Sequence, residues 1–201
     1  MCIHILYVVT VDDPRRVHLD SGQLRVLAHP LRARLLSALR AYGPATATAL
    51  AARLQTNTGA TSYHLRQLAA VGLVEDDAGR GAGRERWWRS AHDLTSWSEL
   101  QFEDDPDDRA AADWLLGHHV RLVTRWLTTW VETRRDWSAQ WRDAADQSDL
   151  EFELTTDGLK RLNAELHEVI ERHRRESDPD APGAQRCVVI LHSFPLPEPE
   201  L

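Results

Sequence analysis

Lysine is nearly missing from this chain: Lys160 is the only one among 24 basic residues, and the rest are arginine. A GC-rich coding bias explains such a preference as readily as function does, so arginine count alone argues nothing. Cysteine is as scarce. Cys2 and Cys187 stand at opposite ends of 201 residues, which excludes a disulfide framework and makes a reducing cytoplasm the expected compartment. No apolar run is long enough to span a bilayer. The opening MCIHILYVVT is far too short and lacks the basic start and cleavage site of a secretory signal, so it reads as an edge strand or a lead-in and no membrane partner is expected. Catalytic patterns are also missing. No nucleophile, base and orienting acid share a recognisable context; Ser62, Tyr63 and His64 are helix neighbours pointing in different directions. The glycine run AGRGAG has neither Walker spacing nor the G-x-G-x-x-G order. An enzyme is therefore not expected, nor a cofactor.

What is present begins with a core-forming composition, 42% hydrophobic and 27% charged, enough for one large or two small globular domains. The net charge of −7 argues at first against nucleic acid. Its distribution reverses that impression, because residues 21–90 hold ten arginines against Glu75, Asp76, Asp77 and Glu85. A basic segment joined to an acidic remainder suits a DNA-contacting module with its own assembly region.

The basic segment centres on Gly59 to Val74, GATSYHLRQLAAVGLV. Ala60, Leu65, Leu68, Ala69 and Leu73 recur at helical spacing, with Asn57 or Thr58 as cap and Gly72 as stop. The other face carries Thr58, Thr61, Ser62, Tyr63, Arg66 and Gln67, short hydrogen-bonding groups and one guanidinium, a chemistry suited to base edges or phosphates. Upstream, a short helix over Gln23–Ala28 stops at His29-Pro30. Pro30 opens the next helix, which buries Leu31, Leu35, Leu36 and Leu39 before Gly43-Pro44 breaks it. Thr46 caps a helix over Ala47–Leu54, and Gln55 to Asn57 make the turn. Helix, tight turn, helix at this spacing is a helix-turn-helix. Downstream, LVEDD and RERWWRS form a hairpin around the glycine-rich tip. One of Trp87 and Trp88 should pack on the helices. Arg80, Arg84 and Arg86 suit a phosphate backbone or a minor groove.

Residues 91–108 read as a transition whose aspartates, Asp104 to Asp108, favour the start of a helix. A helical pattern then runs from about Arg109 to Asp146. Leu115, His119, Leu122, Val123, Trp126, Trp130, Trp137 and Trp141 fall within an arc of about 100° on it, widened by Leu116, Val120, Leu127 and Val131. So broad an apolar face calls for a second chain as its partner; a Trp-lined effector pocket between the paired helices is the sharper alternative. Of His118 and His119, one is expected in the core and one at the surface. LEFELT alternates as a strand, Thr155 or Thr156 caps a helix from Asp157 to about Arg175, and CVVILHSF reads as a closing strand. The expected fold class is mainly α with small β (α+β). Residues 1–19 are a lead-in, 20–92 a winged helix-turn-helix domain, and 93–201 a long-helix and strand-helix-strand dimerisation or effector region.

LRVLAHPLRARLLSAL, SYHLRQLAAVGLV and a wing ending RERWW together resemble the ArsR-type winged helix-turn-helix transcriptional regulators. The likeness covers about residues 20–92. Leu-Ala-His-Pro-Leu-Arg, residues 27–32, matches the family's opening pattern, and Ser62, His64, Leu65, Leu68, Gly72, Leu73 and Val74 match its recognition helix. The resemblance implies a homodimer on double-stranded DNA with recognition helices in successive major grooves about 34 Å apart. Repression is the family expectation; release by an effector, with a small molecule as the candidate, is the accompanying reading. It places Thr58, Thr61, Ser62, Tyr63, His64, Arg66 and Gln67 toward DNA, with Arg66 reading guanine or holding a phosphate and Gln67 reading adenine; His64 either contacts phosphate or packs. Arg80, Arg84 and Arg86 supply the wing's phosphate contacts. The chain departs from the metal-sensing members, since residues 47–57 hold no Cys or His. Asp157, His167, Glu171 and His173 only loosely echo a zinc site, and His167 and Glu171 at i, i+4 are ordinary helix neighbours. No metal is expected. A metal-responsive sensor of this fold, or a helix-turn-helix protein-interaction module without DNA, stand as the alternatives.

Overall fold

A computed structural model describes residues 2–6, 15–78 and 85–197. The chain divides into two compact units, residues 1–122 and 123–201.

In the first unit, local sequence signals place every helix. Asp20 and Gln23 form a reciprocal capping box on α1 (Ser21–Leu27), satisfying donors that a helix start leaves open. The helix α2 (Pro30–Tyr42) has Pro30 in its first turn, where the missing N–H costs nothing, and the His29 side chain accepts from the Leu31 N–H. It ends at Gly43, whose φ of +80° suits glycine. After β3 (Ala45–Thr46), Thr46 caps α3 (Ala47–Leu54) by accepting from the Ala49 N–H. Gln55 turns the chain in the left-handed region at φ 54°. Asn57 then caps α4 (Thr58–Ala70), and Gly72, at φ +72°, leads out of it.

The wing strands β4 (Val74–Asp76) and β5 (Trp87–Ser90) pair antiparallel, with Val74 opposite Ser90. β3 completes this sheet on the other side of β5, in the order β3-β5-β4. Trp88, 3% exposed, is the member of the Trp87-Trp88 pair that joins the core. Leu24, Leu35, Leu36, Leu39, Leu50, Leu65, Leu68 and Leu73 form that core with it.

Two stretches are more ordered than their composition suggests. β1 (Cys2–Leu6) runs antiparallel to β6 (Leu94–Ser98), and β2 (Arg16–His18) runs parallel to β6 on its other edge. Residues 16–18 of the expected lead-in thus belong to a sheet, and Leu19 beside them is fully buried. The transition segment supplies β6, a 3-10 turn at Glu99–Phe102, and the buried rings of Trp97 and Phe102. The aspartate run does begin a helix, α5 (Pro106–Thr133). Asp105 accepts from the Asp107 and Asp108 N–H groups at 2.8 and 3.2 Å, and Arg25 of α1 bonds both Asp105 and Asp108. Ala111, Ala112 and Leu115 of α5 join the first unit's core.

In the second unit the expected continuous helix to Asp146 is interrupted. After Thr133 come a 3-10 turn (Arg134–Asp136), an extended Trp137 at ψ 151°, and a new helix α6 (Ala139–Ala144). The cause is local: the Ser138 hydroxyl accepts from the Trp141 N–H as a fresh N-cap, and short polar side chains compete with helix continuation in this way. α7 (Thr156–Arg175) starts at the Thr155 cap as expected. The flanking strands do not form. Residues 150–155 and 186–193 have no ladder among the described residues, and Leu150, Phe152, Val188 and Val189 stand exposed. Alternation specifies only one face of a strand; without a partner edge the backbone has no ladder to join. Among the described residues of this unit only Val123 and Gly158 are buried.

Candidate nucleic-acid interface

The helix α4 presents two faces fixed by its 3.6-residue period. Asn57 Oδ1 accepts from the Ala60 N–H at 2.7 Å and so fixes the first turn. Thr61, Leu65 and Leu68, each 0% exposed, form the inner stripe, at i, i+4 and i+7. Thr58, Gly59, Tyr63, Arg66 and Ala70 are exposed, with Ser62 and Gln67 half-buried at the margins. This corrects the expected DNA-facing set in one place. Thr61 belongs to the buried stripe, and its hydroxyl has no hydrogen-bond partner among the described residues. A threonine reads as polar in sequence, but its position one turn before Leu65 turns it inward.

His64 sits at the edge of the open face and packs. Its ring lies 4.4 Å from the ring of His29, tilted by 35°, and the Tyr63 ring meets it edge-on at 5.1 Å. The His29 Nδ1 accepts from the Leu31 N–H at 3.1 Å. The His64 Nδ1 is buried without a partner among the described residues. Burial, with Arg32 adding to it, holds the His29 imidazole below its ordinary range. Burial, then His29 and Arg32, does the same to His64. Burial also lowers the Arg32 guanidinium, partly opposed by Tyr63.

Of the eight described arginines in residues 21–90, seven are engaged within the fold. Arg25 holds the start of α5, Arg32 donates to the Val26 carbonyl, and Arg34 donates to the Leu54 carbonyl at 2.8 Å, at the end of α3. Arg40 donates to Thr95 Oγ1 at 2.7 Å and to the His92 carbonyl. Arg53 lies 4.1 Å over the Tyr42 ring, and Arg89 pairs with Glu75 at 3.0 Å. Arg86 is held by Asp76 at 2.6 Å while its guanidinium lies 4.2 Å over Trp88. Arg66 is different: it makes no ion pair, hydrogen bond or ring contact among the described residues. A free, exposed guanidinium in the middle of α4's open face is the chemistry that bidentate guanine or phosphate recognition needs.

At the wing, Arg86 stands at the base of β5, already neutralised by Asp76. The only sign of this pair in the sequence is that Asp76 and Arg86 flank the turn at matching positions. Arg80 and Arg84 lie outside the described residues.

The tryptophan stripe does not gather at one place. Leu115 belongs to the first unit's core and Val123 is buried. His119, Leu122, Trp126, Trp130 and Trp141 are half-buried, and Trp137 is exposed. Three tryptophans form a chain of ring contacts, Trp130 to Trp137 at 6.5 Å and Trp137 to Trp141 at 6.2 Å. Half-buried His118 stacks on Trp114 at 5.1 Å, so neither member of the His118-His119 pair is fully in a core. Of the loosely zinc-like residues, Asp157 faces Lys160 at 3.9 Å and Glu171 pairs with Arg174 at 2.9 Å, while His173 is exposed.

One similarity falls on the same region. A family model described as a helix-turn-helix domain matches residues 27–77. A crystal structure described as a possible transcriptional regulator for arsenical resistance is 32% identical, with 52% of this chain and 95% of that chain covered and a TM-score of 0.31. No curated protein matches the chain.

Proposed function

Given that residues 27–77 match a helix-turn-helix domain, we propose that the chain is a sequence-specific double-stranded DNA-binding transcriptional regulator of the ArsR type, acting as a homodimeric repressor that a small-molecule effector releases. The observation that carries the DNA-binding reading is the open face of α4. There the one unengaged arginine of the described basic segment, Arg66, is flanked by Tyr63, Ser62 and Gln67. α4 supplies base contacts, and the wing, with Arg80, Arg84 and Arg86, supplies phosphate contacts.

Dimerisation is supported by the second unit, which leaves most of its apolar side chains exposed; a face of that kind gains stability by meeting another. Trp126 and Trp130 of α5, with the chain of ring contacts from Trp130 through Trp137 to Trp141, are the side chains on which a second copy would pack. Leu115 contributes by anchoring the start of the same helix. Repression follows from occupancy, since a dimer seated on a promoter excludes polymerase. No cofactor is needed for this activity, and a cytoplasmic location follows from it.

The test is selection of bound fragments from genomic DNA, repeated over a salt series. A regulator enriches a common motif, and its affinity falls on a log–log plot with a slope of about −0.9 per phosphate contact. No enriched motif together with no salt dependence would leave a protein-interaction module as the better reading.

A further inference from the structure

The stacked histidines lie on the seam between α2 and the reading helix. His29 caps α2, His64 is on α4, and their rings are 4.4 Å apart. Three features make that seam intolerant of a proton. The His29 Nδ1 is an acceptor for the Leu31 N–H, a role a protonated nitrogen cannot fill. The His64 Nδ1 is buried with no partner among the described residues to receive its proton. Arg32 adds a fixed positive charge on the α2 side.

The groups around the pair offer no relief. α2 contributes Arg32, and α4 contributes Tyr63, which acts on Arg32. α1 faces α4 with the neutral Gln23 amide, donating to the Val71 carbonyl at 3.1 Å, while its Arg25 is turned to Asp105 and Asp108. The charge on α3, Arg53, lies over Tyr42. No carboxylate acts on either imidazole among the described residues.

We infer that the His29–His64 stack is a proton-sensitive joint that positions the recognition helix, so that acidification undocks α4 from α2 and releases DNA. The inference rests on the DNA-binding reading for its functional consequence and on the stack alone for its structural one. The docked state favours neutral rings, whereas the undocked state takes up protons with an ordinary imidazole pKa of about 6.5. Docking is therefore intact above that value and weakens as pH falls below it. For one excluded proton, affinity declines by up to about tenfold per pH unit. A contrary effect exists, because a protonated histidine near DNA adds attraction for phosphate. Loss of the seam is the larger of the two.

The experiment uses the full chain and a duplex enriched from a random-sequence library at pH 7.5. Affinity is measured from pH 7.5 to 5.5 at constant ionic strength for the wild type, His29→Asn and His64→Phe. Asparagine keeps a capping acceptor and phenylalanine keeps the ring, but neither takes a proton. Amide hydrogen exchange, as protection factors for α4, is followed over the same pH range. The expected result is wild-type affinity falling by up to about tenfold by pH 5.5 for one excluded proton, with α4 protection lost in parallel and both variants flattened. Affinity that is constant or rises on acidification, or that falls equally in the variants, overturns the joint. If a variant binds no DNA at any pH, wild-type exchange decides: α4 protection lost below about pH 6.5 supports the joint and unchanged protection refutes it. If the library yields no bound duplex, the DNA-binding reading fails, and the joint is judged by exchange alone.

Discussion

Replacing Thr61 with valine separates the inner stripe of α4 from its reading face. Thr61 is 0% exposed, and its hydroxyl is buried without a partner among the described residues. Such a hydroxyl costs about 1–3 kcal/mol relative to an apolar group of the same shape. Valine fills nearly the same volume, so no cavity term opposes the gain. Both residues are β-branched, so helix propensity changes little. The expected outcome is stabilisation by about 1 kcal/mol, with the upper end of the range reduced if the threonine can rotate toward the carbonyl one turn back. Urea unfolding followed by circular dichroism measures it as a higher midpoint at unchanged m-value. DNA affinity should stay the same, because the side chain does not reach the open face. Destabilisation would show that the hydroxyl has a partner in solution. A tenfold loss of DNA affinity, about 1.4 kcal/mol, would show that Thr61 faces the groove and that α4 is rotated from the position described.

Arg66→Ala should weaken specific binding or relax one base position by about 1–3 kcal/mol, read by competition with singly substituted duplexes, while the urea midpoint stays put. Asp76→Asn should free Arg86 and raise affinity for all duplexes with a steeper salt slope; an unchanged slope would remove Arg86 from the phosphate contacts. Leu115→Ala should destabilise the first unit by about 2–5 kcal/mol. Trp137→Ala, at the exposed end of the same sequence stripe, should leave the monomer nearly as stable and shift instead the concentration at which copies associate, as read by analytical ultracentrifugation.

Much of the reading helix and its supports could be recognised before any coordinates. Thr46, Asn57 and Thr155 as caps, Pro30 as a first-turn residue and Gly72 after α4 all act within a few residues of themselves, so composition at one place is enough to locate them. The wing followed from the same logic, a short strand on each side of a glycine-rich turn. Polarity alone puts Thr61 on the open face, whereas its angle on the helix, one turn before Leu65, puts it on the buried one. Apolar periodicity from Arg109 to Asp146 does not reveal the break before Ala139, because a serine at position 138 is as compatible with a helix interior as with a new N-cap.

The sequence alone determined the helix-turn-helix and its wing, because capping, turn and periodic signals are short-range and mutually consistent along residues 21–90. Tertiary structure alone decided which side chains are available. Only in the fold do Asp76 and Trp88 hold Arg86, does Leu54 occupy Arg34, and do His29 and His64 meet across 35 residues of chain. It also decided that Arg16–His18 would pair with Leu94–Ser96, while the alternating LEFELT found no ladder. Strand pairing and charge pairing both need a second group brought near through space, and a linear pattern states only that a residue can pair.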